Sequence, residues 1–225
     1  MYNFNMINCD TDSIMINKSD GQLFSIHEKE SLLKELNILY PDIIKWEDDG
    51  GYKSVVVCKT KNYVLQTYEN KIIIKGSGLL ASNKERALRS FLREACTLLL
   101  DEKKDEVIEL YKSYAKRIMT IKDMTDWVSK KTITKAVLNP ERTNEQKVLD
   151  AIDESGEILQ EGDKIYVYFK ISKELGLLDQ WNYDHDPYVL LSKLYKTALI
   201  FNNIIPKTNF INYALKGKRT NLNDL

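Results

Sequence analysis

Cysteine and histidine are scarce in this 225-residue chain, which holds three of the first and two of the second. Cys9, Cys58 and Cys96 are an odd number without metal-ligand spacing, which suits a reducing cytoplasm rather than a disulfide framework. His27 and His185 each stand alone in the sequence and read as structural or surface residues. No run of 18 or more apolar residues occurs, so a membrane-spanning helix is excluded. The N-terminus lacks the basic-then-apolar order of a secretory signal. There is also no internal repeat and no low-complexity linker.

What the chain does have is enough apolar material for a core. Hydrophobic residues make up 43% and charged residues 29%, over a length that accommodates one large domain or two small ones. The formal net charge is zero, but it is unevenly spread. Residues 1–58 hold five Lys/Arg against ten Asp/Glu, residues 59–147 nineteen against twelve, and residues 148–225 nine against eleven. An acidic start beside a basic middle is compatible with a metal site next to a phosphate-binding surface, and equally with ordinary variation along a soluble chain.

Residues 6–16 are two short apolar runs around a polar centre, the pattern of a β-hairpin with Asp10 and Asp12 at its tip. A helix is expected over 28–40, where Leu32, Leu33, Leu36 and Leu39 recur at helical spacing before Pro41. Strands are expected over 52–59, 63–68 and 71–75, broken by Gly76-Ser77-Gly78. The pattern then turns helical over 83–100, with Leu88, Phe91, Leu92, Ala95 and Leu99 on one face, and again over 106–119 and 142–153. A strand over 163–170 and a helix over 187–201 follow, then a polar, basic tail ending Leu222-Asn223-Asp224-Leu225. Strands dominate the first 75 residues and helices the rest, which is an α+β pattern.

Two aspartates at i and i+2 on a tight hairpin project carboxylates from a rigid support. Mg²⁺ is a hard cation that prefers oxygen and usually takes one or two protein carboxylates, so the hairpin suits it. The same four residues resemble the Asp-Thr-Gly-Ser of aspartic proteases, but Asp12 stands where that turn has glycine. An EF-hand also opens Asp-x-Asp, yet Ile14 fills its third ligand position. Two solvated turn aspartates complete the alternatives.

The order of motifs resembles a known family. Asp10-Thr11-Asp12-Ser13 between apolar strands is similar to the third palm motif of family B DNA polymerases, Tyr-Gly-Asp-Thr-Asp-Ser. Lys59-Thr60-Lys61-Asn62-Tyr63 resembles the family's Lys-Lys-Arg-Tyr segment, and Lys75-Gly76 its Lys-x-Lys-Gly stretch before the thumb. Gly162-Asp163-Lys164-Ile165-Tyr166-Val167 looks like a Gly-Asp-x-Val-Tyr-Val strand of family B thumbs, and Asp184 to Tyr188 fits the last helical element. Asn8, Cys9, Thr60 and Asn62 depart from the family's preferences.

The resemblance implies the second half of an antiparallel palm sheet over residues 1–80 and a mainly helical thumb over 81–225. It implies that Asp12 is the catalytic metal ligand, with Asp10 an accessory one near the primer end, in a two-Mg²⁺ site. Lys61 and Tyr63 would follow the primer's minor groove and backbone, with Lys59, Lys61 and Tyr63 on one strand face. Lys75 and Gly76 would lie along the primer phosphates, and Lys130, Lys131 and Lys135 along the duplex. The family's first palm motif and its nucleotide-binding lysine have no match here, so a second polypeptide bearing exonuclease, fingers and the first palm motif is expected, with primer-template DNA and dNTP as ligands. The tail lies where some phage relatives bind a sliding clamp, but it lacks the usual aromatic pair. A non-catalytic DNA-binding subunit and a metal-dependent nuclease are the competing readings.

Overall fold

The chain makes three separate antiparallel sheets, each containing at least one run of apolar β-formers. The structure is a computed structural model that describes residues 3–80, 84–139 and 143–215. β1 (Phe4–Cys9) pairs with β2 (Ile14–Lys18). β3 (Ser54–Lys59), β4 (Asn62–Gln66) and β5 (Ile72–Lys75) form a meander, and β6 (Ser129–Thr132), β7 (Lys164–Phe169) and β8 (Leu175–Leu177) form a sheet with β7 in the middle. The helices are α1 (Ile26–Ile38), α2 (Ser77–Leu80), α3 (Arg86–Leu100), α4 (Lys104–Met119), α5 (Lys135–Leu138), α6 (Thr143–Ser155) and α7 (Pro187–Ala198). The architecture is α+β, as the sequence pattern implies. β6, β8, α2 and α5 have no counterpart in the sequence reading, because Ser-Lys-Lys-Thr, Leu-Gly-Leu, Ser-Gly-Leu-Leu and Lys-Ala-Val-Leu are too short to show a period.

The main core forms where α3, α4 and α7 close on the β3–β5 meander. The face predicted for α3 is the face it buries: Leu88, Phe91, Leu92, Ala95 and Leu99 are all in the interior. Phe91 meets Tyr111, Tyr114 and Phe201 edge-on at 5.4–6.4 Å between ring centres, the arrangement ring quadrupoles favour. A second, smaller core lies between α5, α6 and the β6–β8 sheet, built from Ile133, Val148, Ile152, Ile165, Val167 and Leu177 among others. Where α3, β6 and α7 meet, Glu85 is 3% exposed. It accepts hydrogen bonds from Lys193 and from the Ser129 hydroxyl (2.6 Å). Burial works to raise the Glu85 carboxyl, but the Lys193 ammonium and the two hydrogen bonds outweigh it and hold the group below its ordinary value.

The first 50 residues are packed differently. α1 begins with a capping box in which Ser25 accepts from the Glu28 N–H (3.2 Å) and Glu28 accepts from the Ser25 N–H (2.8 Å). Glu28 also accepts from Lys18 at 2.9 Å, tying the helix start to β2. Yet α1 buries none of its residues fully. Leu32, Leu33 and Leu36 are only half-covered, and Ile26, Ile38, Leu39 and Ile43 are 73–91% exposed. β1 and β2 stand as a two-stranded sheet, a unit that is marginal on its own. The ending Leu222–Leu225 lies outside the described residues.

Candidate active site

Cys9 and Ile14 are the last paired residues of the β1–β2 hairpin, so Asp10-Thr11-Asp12-Ser13 is its loop. The Asp10 N–H closes the loop by donating to the Ser13 carbonyl at 2.9 Å. Ile7 is an extra residue in β1, a bulge that adds twist just before the loop. Asp10 Oδ1 accepts from the Thr11 N–H (2.8 Å) and the Thr11 hydroxyl (3.3 Å), and it lies 3.1 Å from Lys61 Nζ. The Thr11 N–H first, and the Lys61 ammonium second, hold the Asp10 carboxyl below its ordinary value. Asp12 is exposed and makes no side-chain hydrogen bond or ion pair among the described residues. One carboxylate of the pair is therefore fixed and neutralised, and the other is free.

Lys61 reaches Asp10 from a place the sequence reading did not give it. Period-two spacing puts Lys59, Lys61 and Tyr63 on one strand face, but the chain reverses at Thr60-Lys61, and Lys59 pairs across the turn with Asn62. Lys61 has φ +60°, the left-handed conformation of a turn residue, not of a strand. Asn62 organises this turn. Its amide donates to the Thr60 carbonyl (2.9 Å) and accepts from the Gly78 N–H (2.8 Å). An asparagine among the four polar residues Lys59-Thr60-Lys61-Asn62 between two apolar runs is a turn signal, and it was the signal available in the sequence.

Gly76 is where the turn is clamped. It has φ +103°, and a Cβ there would sit 2.1 Å from the Lys61 carbonyl oxygen and 2.7 Å from the Asn62 Cα. The close backbone approach that Gly76 permits is thus to the chain's own turn. Lys75 pairs with Tyr63 across β4–β5 and is exposed, and Tyr63 is half-buried. Asp10, Lys61, Asn62 and Gly76 accordingly form one connected unit, with Tyr63 and Lys75 next to it. Lys59, directly before the turn, is exposed.

Lys130 and Lys131 lie elsewhere, as neighbours on the edge strand β6. Being adjacent, they face opposite sides of the sheet: Lys130 is across from Tyr166 and Lys131 is across from Ile165. Both are exposed, as is Lys135 at the start of α5. The register adds two residues that the sequence reading left out. Lys164 and Tyr166 alternate onto the same face as Lys130, making two cations and an aromatic that is 47% exposed.

Two oxygen donors on a tight loop fit a Mg²⁺ site of one or two protein carboxylates. Among the described residues no group of three or more His, Cys, Asp or Glu side chains is placed to hold a metal.

No family model matches the chain. A stretch of 68 residues, 30% of the chain, is 44% identical to the DNA polymerase alpha catalytic subunit of Sterkiella nova, of which it covers 4%. The fold matches that of the family B DNA polymerase from the archaeon Pyrobaculum calidifontis with a TM-score of 0.67 at 17% identity, over 90% of this chain and 27% of that one. The chain spans a small part of the length of both proteins. A stretch of the sequence is thus similar to part of a DNA polymerase alpha catalytic subunit, and the fold of the chain is that of part of a family B DNA polymerase.

Proposed function

We propose that this chain is the C-terminal portion of a DNA-directed DNA polymerase, with half of the palm over 1–80 and the thumb over 81–225. The observation that carries the reading is the asymmetric aspartate loop, where Asp10 is fixed by Lys61 and Thr11 while Asp12 stands open at the tip. In this reading Asp12 holds Mg²⁺ and Asp10 assists at the primer end. When bound, the metal would favour loss of the proton from the primer 3′-hydroxyl and neutralise charge on the phosphate oxygens of the incoming dNTP. The chain's own residues position. The clamped turn aims Lys61 at Asp10 and sets Tyr63 and Lys59 beside it, for contact with the primer terminus. Lys75, held beside the turn that Gly76 allows, and the exposed β6 lysines Lys130 and Lys131, one on each face of the sheet, bind backbone phosphates by charge, which positions DNA without reading its sequence.

The incomplete carboxylate set supports a further part of the proposal: the remaining palm ligands come from a second polypeptide segment carrying the exonuclease, fingers and first palm motif. The uncovered face of α1 and the lone β1–β2 sheet are what such a segment would cover. Clamp contact by the tail and a cytoplasmic site of action belong to the same proposal.

The test is primer extension with Mg²⁺ and dNTPs, with and without a partner bearing the other palm motifs. Extension that needs both chains and is lost in Asp12→Ala is the expected result. Extension untouched by Asp12→Ala leaves a DNA-holding subunit as the function, with an aspartate pair that does no chemistry.

A further inference from the structure

The segment between β8 and α7, Leu178 to Asp186, has a composition of its own. It holds Trp181, Tyr183, His185 and three aspartates, Asp179, Asp184 and Asp186, with no lysine or arginine. The chain as a whole balances 33 basic side chains against 33 acidic ones. Several contacts anchor the segment. The Trp181 indole N–H donates to His185 Nδ1 at 3.2 Å, and the indole packs in part on the main core. Asp184 accepts from the Tyr168 hydroxyl (2.7 Å), and Asp186, the N-cap of α7, accepts from the Tyr188 N–H (2.8 Å). Lys170, whose backbone pairs with that of His185, is held by Glu154 at 2.8 Å.

Tyr183 is not explained by this packing. It is 67% exposed, the most exposed aromatic residue among those described, and its backbone lies at φ +70°. A bulky side chain avoids that left-handed region, which asparagine and glycine tolerate better. The Tyr183 ring stands against the Trp181 indole, with centres 4.4 Å apart and planes tilted by 45°, and the rest of it is open to solvent. Asp179 is exposed too, and makes no side-chain hydrogen bond or ion pair among the described residues.

The chemistry narrows the partner. An aromatic face is the negative end of a ring quadrupole and attracts cations, and the flat guanidinium of arginine also stacks on it. Three carboxylates in nine residues oppose a phosphate-bearing partner and draw a basic one. An apolar contact would need a wider patch than Tyr183 and the exposed Ile171, whose N–H donates to the Asp184 carbonyl. The other exposed side chains here, Gln180 and Asn182, are neutral amides.

We propose that the Trp181–Tyr183 loop is a docking site for an arginine-rich peptide segment of a partner protein, which sets one guanidinium over the Tyr183 ring and another against the Asp179 carboxylate. The site adds a protein contact to the proposed polymerase role and is independent of it, because the contact is read without DNA.

The experiment is fluorescence anisotropy of the full chain with a labelled peptide of five arginines alternating with glycine, at low salt, where exposed charges are least screened. Tyr183→Asn removes the ring and keeps a residue suited to positive φ, so the melting temperature should hold or rise. It should weaken peptide binding about 2- to 5-fold, the worth of one exposed cation–π contact. Asp179→Asn should weaken it by up to about 5-fold, and the double variant by the product of the two. The control Glu157→Gln/Glu161→Gln removes two exposed charges before β7 and should leave affinity in place. In the parent chain the Trp181 indole N–H resonance should shift as peptide is added. No binding by the parent, unchanged affinity in the double variant, or an equal loss in the control overturns the proposal. So does tighter binding of the same peptide with leucine or glutamate in place of arginine. A parent dimer that is lost in Tyr183→Asn would give the site to a second copy of the chain, and overturns it as well.

Discussion

Gly76 illustrates what one residue contributes at this site. It is at positive φ and also has no room, whereas Gly21 is at φ +74° with open space around it. Gly21→Ala should therefore cost about 1 kcal/mol for the backbone conformation alone, and Gly76→Ala about 1–3 kcal/mol or more because the Lys61-Asn62 turn must also move. Urea unfolding of the two variants measures the difference, and equal losses would show that the turn is not clamped. Lys61 has a sharper readout. Removing its ammonium in Lys61→Met should let the Asp10 carboxyl titrate closer to its ordinary value. It should remain below that value, because the Thr11 N–H is the leading cause and is retained. A carboxyl-carbon NMR titration decides this; an Asp10 titration identical to that of the parent protein would remove Lys61 from the site. The aspartate pair and Lys61 were legible in the sequence as residues. The turn that joins them was not, because period two continues through Thr60-Lys61 and only the left-handed backbone at Lys61 breaks it.

Among the elements, the long amphipathic helices were legible and the short ones were not. α3 and α7 carry a full apolar face over several turns, while β6 and β8 take their strand form from β7, the neighbour they pair with. α1 shows how polar contacts can set an element without burial. The Ser25 N–H, the Lys18 ammonium and the Ser25 hydroxyl contact draw Glu28 down to about 2. An unfolded Glu28 binds its proton near its ordinary value of 4.5, so between about pH 4.5 and 2 the unfolded state holds more protons. The contribution of Glu28 is thus complete above pH 4.5 and is lost as pH falls through about 2. Stability measured against pH in the parent and in Glu28→Gln should converge at the acid end and separate above it. Parallel curves would mean that the capping box and the Lys18 contact do not act through the charge.

At the level of the whole molecule, charge and apolar surface are arranged in opposite ways. The interior is continuous from β3 and β4 through α3, α4 and α7, but the apolar residues of α1 and the segment after it face outward. With Ile26, Ile38, Leu39 and Ile43 exposed, the isolated chain should self-associate at micromolar concentration, and Ile38→Lys/Ile43→Lys should make it monomeric without lowering its melting temperature. Analytical ultracentrifugation reads this directly, and a parent chain that stays monomeric would argue against an uncovered face. The helical spacing of α1 was legible in the sequence, whereas the exposure of Leu39 was not, since spacing alone does not say what covers a face. β7 has a larger consequence. Its Ile165 and Val167 belong to the smaller core and its Tyr168 to the main one. The two cores are thus threaded on one strand but share few side chains, which is the arrangement of two cooperative units with different opening energies. Native-state hydrogen exchange should find the amides of α6 and β8 released together at lower denaturant than those of α3 and α4, so that part of the chain can open and reclose while the main body remains folded.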